Sequence, residues 1–272
     1  MKDIVTHELL HTEAHAQQPV LEVANLTKRF EVNGTSKAVL ADLSFSAGTG
    51  EMVCIAGRSG CGKTTLLNIL AGFLKPSAGT VLVNGKPIRK PGPDRCVVFQ
   101  EDTLFPWLTV RENIAFGLKR RMRDKHRLNQ ELDRFITLVG LRDFHHYLPR
   151  ELSGGMKQRV AIARVFILQP QILLMDEPFA SLDYDTRREM QDLLVSIWRD
   201  LGQTIVFVTH DADEAITLAD KILVMDRSAG CIREELELTF LDQEERSKQS
   251  MSSSDGSFMS FCENAHNLET NR

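Results

Sequence analysis

The chain lacks any apolar stretch that approaches the roughly 20 residues a membrane-spanning helix requires. Residues 1–18 are polar, which excludes a secretory signal of the usual kind. The five cysteines have no paired spacing, so they indicate reduced thiols in a cytosolic protein and exclude a disulfide framework. The net charge of −4 lacks the positive excess of a nucleic-acid binder, so no nucleic-acid partner is expected.

The composition that is present favours a globular protein. Of the 272 residues, 42% are hydrophobic and 26% are charged, which is enough for one large α/β domain with an inserted helical part.

A glycine-rich segment gives the first functional signal. Residues 57–64 match the complete G-x-x-x-x-G-K-[ST] phosphate loop, with an apolar run before them and an apolar helical face after them. The glycines let successive N–H groups point inward toward an anion, and the N-terminal end of the following helix adds positive potential. Lys63 is expected to reach the β- and γ-phosphates, and the Thr64 hydroxyl to ligate Mg²⁺. The predicted nucleotide-binding residues of this loop are Gly57, Arg58, Ser59, Gly60, Cys61, Gly62, Lys63, Thr64 and Thr65.

A second signal is a pair of carboxylates after a short apolar run. Residues 172–175 are apolar and predict a buried strand, and Asp176 and Glu177 follow it directly. Open parallel sheets bind ligands at the carboxyl ends of their strands. Asp176 fits a second Mg²⁺ contact, and Glu177 fits a general base that polarises the attacking water.

A third segment, Leu-Ser-Gly-Gly-Met-Lys-Gln at residues 152–158, opens a predicted helix with a serine and two glycines. Together with the phosphate loop it makes the chain resemble the ATP-binding subunit of an ABC transporter, over roughly residues 20–235. This resemblance implies that Ser153, Gly154, Gly155 and Gln158 form a signature motif facing the nucleotide of a second subunit. It therefore implies a head-to-tail dimer of two copies, with ATP and Mg²⁺ as ligands.

The resemblance also assigns roles to residues that the sequence alone would leave unmarked. Phe30 takes the place of the aromatic residue that stacks on adenine, and Gln100 that of the Q-loop glutamine, which contacts Mg²⁺ and the catalytic centre. Ser181 and Asp183 resemble the D-loop, and His210 resembles the switch histidine that contacts the γ-phosphate.

One branch of the family is especially similar. Residues 91–118 closely resemble ATPase subunits of bacterial nitrate, sulfonate and taurine importers, and Met156 in the signature is typical of that branch. This implies transmembrane permease subunits, an indirect periplasmic solute-binding protein, and a peripheral location on the cytoplasmic face of the inner membrane. Residues 100–107, which end in Leu-Phe-Pro-Trp, are then expected to face the permease, unless these side chains pack inside the helical part.

Two other function classes stay open at this point. A soluble ABC ATPase acting on the ribosome or DNA usually carries two cassettes or a long coiled-coil insertion, and the chain has neither. A nucleotide kinase or GTPase would need only the phosphate loop, but it would leave residues 153–155 unexplained, and the chain has no Asn-Lys-x-Asp guanine reader.

Alternating strand and helix patterns predict an α/β phosphate-loop ATPase with a mostly parallel core sheet, an N-terminal antiparallel part and an inserted helical subdomain at about 101–168. We expect a flexible extension at 1–18, the ATPase domain at 19–243 and a polar, mostly disordered tail at 244–272. The predicted strands are 20–23, 38–46, 51–56, 79–84, 96–99, 172–175, 204–209 and 221–225. The predicted helices are 63–73, 109–121, 128–139, 154–168, 185–201 and 211–219.

Overall fold

The computed structural model describes residues 19–100, 103–226 and 230–238. The predictions of a flexible extension at 1–18 and a disordered tail at 244–272 lie outside these residues. The strands are β1 (Leu21–Val32), β2 (Thr35–Ala47), β3 (Met52–Ala56), β4 (Ala78–Val83), β5 (Lys86–Pro87), β6 (Arg95–Val98), β7 (Ile172–Asp176), β8 (Thr204–Thr209), β9 (Lys221–Met225) and β10 (Ile232–Glu237). The helices are α1 (Lys63–Ala71), α2 (Val110–Arg121), α3 (Lys125–Leu138), α4 (Gly154–Phe166), α5 (Tyr184–Leu201) and α6 (Ala212–Leu218).

Two sheets form the frame of the molecule. The larger has the order β10-β9-β3-β8-β7-β6, in which only β10 runs antiparallel to its neighbour. The smaller is antiparallel, with the order β2-β1-β4-β5. The fold is therefore the predicted α/β arrangement of a mostly parallel core with an N-terminal antiparallel part.

Strands β3, β7 and β8 occupy the centre because their sequences are almost uninterrupted apolar runs. Every residue of β3 and β8 is buried, and in β7 only the terminal Asp176 is partly exposed. Strands that are covered on both faces have this composition, unlike strands with one wet face. The central strands are predicted to within a residue for that reason.

Helix α1 lies in the core between the two sheets. Its Leu66, Leu67, Ile69 and Leu70 belong to one hydrophobic cluster with residues of β1, β2 and the near face of the parallel sheet. The second cluster joins the opposite face of that sheet to helices α2 to α6. The parallel sheet is thus covered on both sides, which holds its carboxyl edge in a fixed position relative to α1.

Helices α2, α3 and α4 form the inserted helical part. A capping box opens α2, where the Thr109 hydroxyl accepts a hydrogen bond from the Glu112 N–H (3.2 Å) and the Glu112 carboxylate accepts one from the Thr109 N–H (2.9 Å). Two short 3₁₀ turns, Arg142–Phe144 and Pro149–Glu151, lead into α4.

The structure differs from the sequence prediction most at β1 and β10, and the two-residue strand β5 is also absent from the prediction. β1 extends to Val32, where the pattern predicts a strand only at 20–23, because its distal half is mostly exposed and pairs with β2 as a hairpin. β10 is absent from the prediction because Ile-Arg-Glu-Glu-Leu-Glu is rich in charge, yet it pairs antiparallel with β9. In both strands pairing with a neighbour outweighs the local preference.

Candidate functional site

The phosphate-loop segment makes close contacts at two glycines, where a Cβ would have little room. Gly62 has φ of +108°, and a Cβ there would lie 2.7 Å from a methyl carbon of Leu40. A Cβ at Gly57 would lie 2.9 Å from the Cys61 sulfur and 3.1 Å from the Met225 carbonyl oxygen. The loop is therefore curled tightly between β3 and α1, as an anion-binding loop must be.

Lys63 is the most buried cation of the loop, with 5% of its surface exposed. Its ammonium donates a hydrogen bond to the Gly57 carbonyl oxygen (2.6 Å), and it lies 3.9 Å from Oε1 of Glu177. A nearly buried ammonium needs such acceptors. The charge of Lys63 is therefore held inside the curl of the loop.

Asp176 ends β7 beside the start of α1. The Thr64 hydroxyl donates a long hydrogen bond to its Oδ1 (3.4 Å). Burial raises the pKa of the Asp176 carboxyl above its ordinary value, while the Thr64 hydrogen bond acts in the opposite direction. The site thus has two adjacent oxygen atoms, the Thr64 hydroxyl and one carboxylate oxygen of Asp176.

Glu177 adopts an unusual backbone conformation, with φ of +45°. Non-glycine residues rarely occupy this left-handed region, and such strain is concentrated at functional sites. The Glu177 N–H donates to the Val208 carbonyl (3.0 Å), which holds the strained turn to the next strand. The carboxylate contacts Nδ1 of His210 through Oε2 (3.0 Å) and faces Lys63 through Oε1.

The sheet register explains why these residues meet. Asp176 pairs with Val208 across β7 and β8, and Ala56 pairs with Thr209 across β3 and β8. Gly57, Glu177 and His210 therefore leave three neighbouring strands at the same edge. Gln100 follows β6, which pairs with β7 as Val98 with Met175, so it leaves at the same edge and is exposed.

The signature segment lies elsewhere on the surface. Ser153 and Gly154 are exposed, and Ser153 caps α4 by accepting a hydrogen bond from the Met156 N–H (3.3 Å). Within the described residues, no hydrogen bond or ion pair joins residues 153–155 to residues 57–65 of the phosphate loop. Gln158 is buried and donates to the Pro178 carbonyl (2.6 Å), so α4 is fastened to the segment that follows Glu177.

The remaining predicted site residues occupy two further places. Phe30 lies on the exposed half of β1 with the Lys28 ammonium 4.9 Å from its ring centroid, and its ring is partly exposed. Ser181 and Asp183 are exposed, and Asp183 caps α5 by accepting from the Thr186 N–H (3.0 Å).

Among the other residues predicted for the phosphate loop, Arg58, Ser59 and Gly60 are exposed, Thr65 is partly exposed and Cys61 is buried.

The segment expected to face a partner is partly internal. Leu104 is buried, and Asn113 fixes the chain beside it by accepting from the Phe105 N–H (2.9 Å) and donating to the Leu108 carbonyl (2.9 Å). Trp107 is 71% exposed. The expectation for residues 100–107 therefore fails for Leu104, which packs in the core, while residues 101–102 lie outside the described chain.

A phosphate-loop curl, two carboxylates at the carboxyl edge of a parallel sheet and a histidine on the next strand define a nucleotide-hydrolysing protein of the phosphate-loop class. Residues 40–180 match the family model described as ABC transporter. The chain belongs to that family and is an ABC-type ATPase.

Individual relatives agree with this assignment. The chain is 44% identical over 223 residues to the taurine import ATP-binding protein TauB of Roseobacter denitrificans, covering 82% of this chain and 83% of that one. It is 45% identical over 210 residues to the nitrate import ATP-binding protein NrtD of Synechococcus elongatus, covering 76% and 77%. These relatives give no support to the alternative of an ATPase acting on the ribosome or DNA.

A solved structure has the same fold. The dimeric ATP-binding cassette MJ0796, bound to ADP and Pi in a post-hydrolysis state, superposes with a TM-score of 0.70 at 30% identity. The match covers 80% of this chain and 98% of that one. Across the described ranges, no helix is both long and apolar enough to span a bilayer.

Proposed function

We propose that this chain is the ATP-hydrolysing subunit of a bacterial importer for nitrate, sulfonate or taurine-like anions. The observation that carries the proposal is its 44% and 45% identity to taurine and nitrate import ATP-binding proteins, over more than three quarters of each chain. In this assembly the chain lies on the cytoplasmic face of the membrane, bound to permease subunits that receive solute from a periplasmic binding protein.

The chemistry follows from the edge of the parallel sheet. Lys63 and the N–H groups of residues 57–64 bind the phosphates, and Phe30 stacks on adenine. Glu177 accepts a proton from the attacking water, because its carboxylate lies at the sheet edge between Lys63 and His210. His210 holds Glu177 through Nδ1, and with Gln100 it completes the catalytic residues at this edge.

The oxygen-bearing side chains at this site fit a magnesium ion. Thr64 and Asp176 offer a hydroxyl and a carboxylate oxygen within hydrogen-bonding distance of each other, and Mg²⁺ prefers oxygen ligands. Burial raises the pKa of the Asp176 carboxyl, as expected for a partly desolvated carboxylate. Thr64, Asp176 and Gln100 would hold Mg²⁺, which when bound neutralises charge on the phosphates.

A second copy of the chain supplies the rest of the site. Ser153 and Gly154 are exposed at the N-terminal end of α4, and in the described residues they make no hydrogen bond or ion pair to residues 57–65; a helix N-terminus suits a phosphate. We therefore propose a head-to-tail dimer in which each signature, together with Ser181 and Asp183, closes the nucleotide site of the other copy.

The aromatic side chains of Phe105, Trp107 and Phe116 form the proposed permease surface. Phe105 lies 4.4 Å from Phe116 and 5.7 Å from Trp107, measured between ring centroids, and Arg164 lies over the Phe105 ring. Trp107 and Phe116 remain 71% and 49% exposed. Exposed apolar groups of this size favour a protein partner.

A pull-down of the tagged chain from membranes, followed by reconstitution of the captured complex, tests the proposal. We expect a permease in the complex and ATP-dependent uptake of nitrate, taurine or an alkanesulfonate. Capture of ribosomes or DNA without a permease would overturn the importer assignment.

A further inference from the structure

Arg187 connects two loops that border the nucleotide site. It lies one turn into α5, directly after the segment 181–183. One terminal nitrogen of its guanidinium donates to the Leu182 carbonyl oxygen (3.2 Å), and the other donates to Oδ2 of Asp211 (3.1 Å). A single side chain therefore joins the 181–183 segment to the residue that follows His210.

The residues on both sides of His210 are themselves anchored. Oδ1 of Asp211 accepts from the Glu214 N–H (3.1 Å) and so caps α6, and the Asp211 N–H donates to the Thr209 hydroxyl (3.1 Å). The Thr209 hydroxyl in turn donates to the buried carboxyl of Glu214. His210 projects from a short loop that has little freedom to move unless Asp211 moves with it.

The environment makes the bridge more than a surface contact. The side chains of Arg187 and Asp211 are 30% and 31% exposed, so the pair is partly shielded from water and from salt. The planar guanidinium can serve two acceptors in fixed directions, whereas a lysine ammonium at the end of a flexible stem cannot hold both in the same way.

We propose that Arg187 is a positioning residue that couples the 181–183 segment to His210. The inference rests on the proposed function, because a second copy seated on that segment would pull on the same side chain that fixes the His210 loop. Displacing the loop would break the 3.0 Å contact between His210 and Glu177. The bridge thereby links docking of the second copy to the hydrolytic centre.

The test measures steady-state ATP hydrolysis by the full chain carrying Arg187→Met, Asp211→Asn or both. Asparagine caps a helix about as well as aspartate, so Asp211→Asn removes the charge and keeps the start of α6. Each variant should lose on the order of 10-fold in kcat, because small misplacement of catalytic groups has effects of this size. The KM for ATP and the melting temperature should stay close to those of the unmodified chain, since Arg187 does not touch the phosphate loop.

Two further variants sharpen the result. Arg187→Lys keeps the charge but cannot hold both acceptors, so it should not restore kcat. Glu189→Gln is the matched control on the same helix, because it removes an exposed partner of Arg159 (3.2 Å) away from both loops, and it should leave kcat unchanged. The double variant should lose no more than the larger single loss, since both changes cut one bridge.

The inference is overturned if the single variants keep wild-type kcat, if their losses multiply, or if Arg187→Lys is fully active. If Arg187→Met melts at a much lower temperature than the unmodified chain, the kcat of Asp211→Asn tests the inference by the same criteria. An unmodified chain without ATPase activity would overturn the proposed function and this inference with it. Normal turnover of the variants overturns the inference alone.

Discussion

At the scale of single residues, the least expected feature is the backbone of Glu177. Its φ of +45° costs on the order of 1 kcal/mol or more, and the Val208 carbonyl and the flanking strands hold it there. Nothing in the sequence signals this conformation, since a glutamate after an apolar strand normally continues in extended geometry. The strain turns the carboxylate toward Lys63 and His210.

Replacing Glu177 with glutamine should separate binding from hydrolysis. The amide keeps the shape of the side chain but cannot accept a proton, so kcat should fall by roughly 10²- to 10⁴-fold while ATP still binds. Lys63→Ala should weaken ATP binding itself, because it removes the buried ammonium of the loop. Phosphate release and equilibrium nucleotide binding measure the two effects.

Glu189→Gln serves as the control for this experiment as well, since it removes an exposed carboxylate 12 positions further along the chain. If Glu177→Gln hydrolysed ATP at nearly the unmodified rate, Glu177 could not be the base.

Glu214 should make stability depend on pH. Burial raises the pKa of its carboxyl from the ordinary value of 4.5 to about 7, and the hydrogen bond from Thr209 opposes part of that rise. Between these values the folded state holds a proton that the unfolded state has lost, so stability is full below about pH 4.5 and falls as pH rises to about 7. Glu214→Gln should remove this loss and raise the free energy of unfolding at pH 8 by at most roughly 3 kcal/mol.

Urea unfolding of the unmodified chain and of Glu214→Gln, at pH 5 and at pH 8, checks the direction of this pH dependence of stability. The two proteins should differ more at pH 8 than at pH 5. A constant difference at both values would contradict a titrating Glu214.

At the scale of elements, the segment before α2 is anchored on one side and exposed on the other. Leu104 and the hydrogen bonds of Asn113 fasten it to the helical part, while Trp107 stays in water. Trp107→Ala should therefore weaken permease assembly and transport by about 10-fold or more, as loss of an aromatic hot spot does, and change the ATPase of the isolated chain little.

Phe144→Ala, which removes another partly exposed aromatic ring in the 3₁₀ turn Arg142–Phe144, is the matched control. Equal losses of folding, ATPase and assembly in Trp107→Ala would mean that the ring only packs inside the helical part.

The elements also show how far sequence reasoning reaches. The central strands are predictable because β3, β7 and β8 are apolar runs, and such strands are stable when both of their faces are buried. β10 and the outer half of β1 are not, because their charged residues acquire strand structure only through pairing with β9 and β2. The phosphate loop and the carboxylates follow from local motifs, whereas the Arg187 bridge joins residues 24 positions apart through tertiary packing.

At the scale of the whole molecule, the separation of the phosphate loop from Ser153 predicts shared sites. A mixture of Lys63→Ala and Ser153→Arg chains should regain activity that neither has alone, because in the mixed dimer both lesions fall in one site and the other site is intact. Specific activity of the unmodified chain should also rise with protein concentration while the dimer is partly dissociated.

The regained ATPase activity is measured by titrating the two variants against each other, and sedimentation gives the oligomeric state. Concentration-independent full turnover by a demonstrated monomer would contradict the shared site.

The acidic strand β10 has a consequence for storage and crowding. It is the outermost strand of the large sheet within the described residues, and its Glu235 and Glu237 are exposed. Glu235 is paired with Lys221 of β9 (3.3 Å), but the charged side chains of this outer strand, Glu237 among them, still disfavour pairing with the same strand of another molecule. Charge neutralisation of β10 should accordingly promote fibrillar aggregates of the concentrated protein.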